Sequence, residues 1–123
     1  MDLVRTANAS MVAFDVALGA GAIAAPDQTL RLLGHATPSE DARWLFRRCG
    51  PIWLTFAAAH LVAAVRGERR DWWALAWLRG TEIATDALWS SSPAFRRPSA
   101  RAALYGAGLV NLVYAISFGR RGR

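Results

Sequence analysis

Apolar residues fall into four runs, each about long enough to cross a bilayer, divided by short stretches rich in Arg, Pro, Ser and Gly. The first predicted helix spans residues 3–25 and stops at Pro26, which lacks the N–H needed to continue. Its apolar core, Met11 to Ala25, is rich in small residues, including Gly19 and Gly21, that allow close backbone approach. A polar connection over 26–37 follows. Thr37-Pro38-Ser39-Glu40 then reads as a helix start, with Thr37 as N-cap, Pro38 at the first helical position and Glu40 closing a capping box. The second helix is expected over 38–65, kinked where Pro51 follows Gly50. The charged link Arg66 to Arg70 is too short for anything but an antiparallel hairpin. The third helix is predicted over 71–89. After a Ser/Pro/Arg connection (90–100), the fourth covers 101–118 and is ended by Gly119 and an Arg-rich tail.

These elements predict an all-α chain: residues 1–123 as one antiparallel, up-down, integral membrane four-helix bundle with a kinked second helix. Trp72 and Trp73 at one end of the third helix and Trp89 at the other lie ~25 Å apart at helical rise, the spacing of two interfacial aromatic belts. Trp44, with Arg43, Arg47 and Arg48, places the start of the second helix at an interface. A water-soluble bundle is the alternative. Against it, the fourth helix offers only Asn111, Ser117 and two Tyr between Arg101 and Arg120, too little for a wetted face.

Composition narrows the classes further. Hydrophobic residues make up 54% of the 123, with six Trp, and the net charge is +6. All fifteen cationic residues are Arg, a bias that the coding sequence alone can produce. They cluster between the apolar runs (Arg47–Arg48, Arg66 with Arg69–Arg70, Arg96–Arg97 with Arg101, and the C-terminal tail), which suits anionic headgroups better than a nucleic-acid groove. Nucleic acid is therefore not expected as a partner; the lipid bilayer and other membrane subunits are. Excluding Arg79, seven Arg fall on each side, so charge does not fix the orientation. The short charged link and tail favour both termini in the cytoplasm, in a bacterial-type inner or plasma membrane. The single Cys49 excludes an internal disulfide and any cysteine-rich metal site. Ala22-Ile23-Ala24 resembles a signal-peptidase site, but Asp15 interrupts the run before it, and a retained helix is expected.

Ionisable residues within apolar helices are the candidate chemistry, because charge facing lipid is costly and such groups turn toward an interior or cavity. Arg79, Glu82 and Asp86 fall within about 60° of one another on the third helix. On the first, Asn8 and Asp15 share a face that Gly19 and Ala22 continue. Asp15 and Arg79 each lie ~12 Å from the side carrying the termini, and His60 and Asn111 at ~9–11 Å, so each helix supplies one polar side chain to one level. Two readings follow. In the structural one, a buried Asp15–Arg79 pair with His60 and Asn111 fixes which helix neighbours which. In the functional one, Glu82, His60 and Asp86 with Asp15 handle protons or a ligand such as a quinone or lipid headgroup. Charges meeting a partner's helices are a third possibility. Glu82 is expected to pair with His60 or to be protonated, and Asp86 to reach water at the far interface. His60, flanked by Ala57-Ala58-Ala59, also has the surroundings of an axial ligand to haem or chlorophyll, although a satisfied core histidine is the commoner case. No nucleophile elbow, phosphate loop or metal-ligand spacing occurs, so no catalytic residue and no metal are expected.

The glycine-rich end of the first helix, Ala25-Pro26-Asp27 leading to Leu33-Gly34, Phe46-Arg47-Arg48-Cys49-Gly50 and the late acidic Asp86 together resemble small DoxX-like membrane proteins. The layout is also similar to that of the ergosterol-biosynthesis scaffold family. Pro51 directly after Gly50 departs from that pattern. The resemblance implies a non-catalytic accessory or scaffold subunit of a larger electron-transfer or energy-conversion complex. It transfers no catalytic residue. The alternative is a self-contained redox or proton-coupled membrane protein with a quinone, lipid or tetrapyrrole near the polar level.

Overall fold

The computed structural model describes residues 3–35, 37–89, 91, 98, 102, 105–106, 109, 112–113, 116–117 and 120. Among them the chain forms four α-helices, α1 (Leu3–Ala24), α2 (Pro26–Leu32), α3 (Glu40–Arg66) and α4 (Arg69–Trp89), and no strand. Asn8, Met11, Asp15, Gly19 and Ala22 form the buried stripe of α1 at the three- and four-residue spacing of one helix face. That stripe faces α3, the most extensive contact among the four helices. Two glycines set its closeness. A Cβ on Gly19 would lie 2.8 Å from the Gly50 carbonyl oxygen, and one on Gly50 would lie 2.8 Å from the Gly19 carbonyl oxygen. Each glycine is the gap into which the other's backbone fits.

The expected polar connection over 26–37 contains a helix instead. Pro26 occupies the first turn of α2, where its fixed φ suits the helix and its missing N–H costs no bond. Gly34 (φ +88°) closes it, with the Gly34 N–H donating to the Arg31 carbonyl and the His35 N–H to the Leu30 carbonyl, both at 3.0 Å. Thr29 tucks against Gly21, where a Cβ would meet its Oγ1 at 2.6 Å. His35 lies after this cap, outside the helices.

Helix α3 starts two residues later than predicted. Ser39, not Thr37, is the N-cap, its Oγ accepting from the Ala42 N–H at 3.2 Å. This start puts Glu40 and Asp41 in the first turn, where carboxylates complement the positive end of the helix dipole. The helix then runs through Pro51 as one element. Gly67, in the left-handed region at φ +66°, ends it and donates to the Ala63 carbonyl at 2.9 Å. The link to α4 is only Gly67–Glu68, because α4 begins at Arg69 rather than Asp71.

Much of the predicted fourth helix lies outside the described residues, including Asn111. Those described between 102 and 120 are helical, and Leu112 and Ile116 pack on a core of Ala63, Trp72, Leu75 and Ala76. Polar and apolar side chains occur both inside and outside. Among the described residues Arg79, His60 and Asp15 stand with Leu75 as the largest fully buried side chains, while Ile52, Leu61, Val65, Trp77 and Leu88 are exposed. Among the described residues one helix, α3, is long and apolar enough to cross a membrane; Asn8–Ala24 is apolar but shorter.

Candidate functional site

Three helices meet at Arg79. It lies one helical turn inward of the Trp72–Leu75–Ala76 core on α4, facing α1 and α3, and is 2% exposed. Its guanidinium donates through Nη2 to Asp15 Oδ2 on α1, through Nη1 to Glu82 Oε2 at 2.8 Å, and through Nε to His60 Nε2 on α3 at 3.2 Å. The Phe56 ring lies beneath it, with Cζ 4.7 Å from the ring centroid. That contact covers one face of the planar cation, which the hydrogen bonds in its plane do not reach.

The histidine's state follows from its partners. The Arg79 Nε–H can only donate, so His60 Nε2 must accept, and the ring is neutral with its proton on Nδ1. Nδ1 then donates to Asn8 Oδ1 at 2.9 Å. Asp15 Oδ2 lies 4.0 Å from Nε2, but two acceptors at that distance are held by the arginine between them rather than by each other. With both nitrogens engaged and the ring 1% exposed, His60 has no lone pair left for a haem or chlorophyll iron or magnesium. The tetrapyrrole expectation does not fit this geometry.

Glu82 also departs from expectation. It was expected to pair with His60 or to be protonated; it pairs instead with Arg79, three residues before it on α4, and accepts the Trp53 indole N–H at 3.3 Å through Oε1. One guanidinium thus serves two carboxylates, which is sustainable because Glu82 keeps 22% of its side chain accessible. Asp86, one turn further along α4, is half-buried and makes no side-chain hydrogen bond or ion pair among the described residues. The structure brings Asp15, Arg79 and His60 together at this point. Trp53, Phe56 and the role of Asn8 as the histidine's partner were missed. The available signal was the helical spacing of Trp53, Phe56 and His60, which puts them on one flank of α3.

The tryptophans divide by position. Trp44 and Trp73 are exposed. Trp72, assigned to the same belt, turns inward at 4% exposure and packs on Ala63, Leu75 and Ala76, so it is a core residue. The side chain of Trp89 lies outside the described residues. The charged link carries its own cluster, with Arg66 and Arg70 both paired to Glu68 and Asp71 at 2.6–3.8 Å. There, the hydrogen bond from Arg66 holds the Glu68 carboxyl below its ordinary value of 4.5. No group of three metal-ligating side chains occurs among the described residues. Set beside known proteins, the chain matches no family model, no curated protein and no solved structure.

Proposed function

We propose that this chain is an integral membrane helix bundle that serves as a non-catalytic accessory or scaffold subunit of a larger membrane complex. One observation carries the reading: the interior holds Arg79, His60 and Asp15, while large apolar side chains cover the outside. A protein folded for water places these groups the other way round and rarely leaves so wide an apolar surface uncovered. Lipid, or the helices of a partner, is the surrounding that suits it.

The polar layer is architectural in this reading. Every polar atom of His60 is taken, and Arg79 is shared among three acceptors, which leaves no free nucleophile or base at the centre. Such a network dictates which face of α1 meets which face of α3 and α4. The layout that resembles DoxX-like and scaffold proteins supports the same role. The test is extraction from native membranes in mild detergent, after an alkaline carbonate wash. Other membrane proteins are expected to co-purify in fixed proportion. A chain recovered alone, or only as its own oligomer, sinks the accessory role, and a chain released by the wash sinks the membrane reading.

A second reading rests on the edge of the same layer. Glu82 is partly accessible, and Asp86 continues its face one turn on, so the acidic groups lead outward from the buried pair. A proton- or redox-coupled role would use that path, and Glu82→Gln would abolish transport or redox activity in a bundle that remains folded.

A further inference from the structure

We infer that the groove between the α1–α2 corner and the first turns of α3 binds the phosphodiester of an anionic membrane lipid, an assignment that rests on the membrane reading above. The groove has a volume of about 420 Å³, and its polar lining is Asp27, Arg31, Glu40, Arg43, Trp44 and Arg47, with Gln28 beside them.

The charges on that lining are not all spent on one another. Arg43 Nε lies 3.2 Å from Asp27 Oδ1, which neutralises both. Arg31 donates through Nε to the Asp27 main-chain carbonyl at 3.3 Å, which holds its stem against α2. The Arg47 guanidinium is held over the Trp44 ring, 5.2 Å from its centroid. Among the described residues, neither Arg31 nor Arg47 has a carboxylate partner. Their two charges face Glu40 alone, which leaves a net of one positive charge. That matches a phosphodiester, which carries one negative charge, better than a phosphomonoester, which carries nearly two. Arginine's planar fork is suited to grip two phosphate oxygens at once.

The surroundings select a lipid over a free ion. Leu32 on α2 and Leu45 on α3, neighbours in sequence of the groove-lining Arg31 and Trp44, are exposed. A ligand with a charged head and an apolar tail meets both kinds of surface at this corner, and an inorganic anion meets only one. Trp44 on the rim has the amphipathic ring favoured at the headgroup level.

The test is native mass spectrometry of protein extracted from bilayers of equal phosphatidylglycerol and phosphatidylcholine; the latter carries the same phosphodiester neutralised by a choline cation. The wild type is expected to retain phosphatidylglycerol over phosphatidylcholine by about tenfold. Arg31→Gln combined with Arg47→Gln is expected to erase that preference. Both side chains are exposed, so the helical circular dichroism should be unchanged. Arg70→Gln, at the far link, should leave the preference intact. A wild type that inserts without preference, or a double variant that keeps it, overturns the groove assignment and leaves the membrane reading standing. A wild type that never enters the bilayer overturns both. Inorganic phosphate that stabilises lipid-free wild type but not the double variant makes the groove a free-phosphate site and overturns the lipid assignment.

Discussion

At Arg79 a single cation is shared by an aspartate from one helix, a glutamate from its own and a histidine from a third, so its loss has an asymmetric cost. Removing it strands the Asp15 carboxylate, which is 1% exposed and has no water to turn to. Arg79→Ala is expected to destabilise by about 3–5 kcal/mol, measured as the shift in thermal or denaturant unfolding in detergent. Asp15→Ala should cost less, because Glu82 still pairs with the arginine and is itself partly accessible. The double variant should recover part of the Arg79→Ala loss. Full additivity of the two single changes would show that the pair is not coupled. Replacing Glu82 by Gln keeps an oxygen for the Trp53 indole and should cost about 1 kcal/mol. The Asp15–Arg79 pairing was legible in the sequence from depth alone, since both residues sit equally far along helices that run in the same direction. The partner of Glu82 was not. A helical wheel reports the face a side chain occupies and says nothing of an arginine long enough to serve its own helix and two others.

Gly19 and Gly50 set how α1 and α3 cross, and their substitution tests the contact between elements. Gly19→Ala and Gly50→Ala each place a methyl within 2.8 Å of the facing carbonyl oxygen. Each is expected to push the helices apart and cost about 1–3 kcal/mol by the same unfolding measurement. Gly80→Ala is the contrast: its nearest described neighbour would be Leu112 Cδ1 at 3.9 Å, an ordinary contact. That change should be neutral or stabilise by about 0.5–1 kcal/mol through helix propensity. The α3–α4 hairpin responds to acid. Glu68 is held below its ordinary value of 4.5, so its contribution is complete above that value and is lost as pH falls through the folded-state value. Protection of the Asp71 and Trp72 amides, which donate to the Glu68 carbonyl, should fall in that range, and Glu68→Gln should remove the pH dependence. The small residues that allow the α1–α3 contact were visible in the sequence, whereas the pairing of Gly19 with Gly50 was not, because helix phase across a 31-residue separation depends on α2. That helix went unread for a local reason. Seven residues are too few to show a hydrophobic period, and Pro26 and Gly34, which frame it, also read as linker punctuation.

For the molecule as a whole, the outward apolar surface makes a spectroscopic prediction. Trp77 is 77% exposed on α4 while Trp72, five residues before it, is buried. Brominated acyl chains should therefore quench a variant retaining only Trp77 strongly and one retaining only Trp72 weakly. Equal quenching of the two would contradict the placement of Trp77 outside and Trp72 inside a lipid-embedded bundle. The three-helix convergence also has a history in time. Asp15 and Arg79 are separated by 64 residues, so at roughly 5–20 residues per second the ribosome finishes the carboxylate about 3–13 s before its guanidinium exists. Asn8 is made before that interval and Gly19, Gly50 and His60 within it, so the residues of the α1–α3 contact all exist before α4 is complete. Until then Asp15 and His60 lack the guanidinium that bonds to both of them in the finished fold. Synthesis of α4 does not merely add a helix; it delivers the cation that ends the wait.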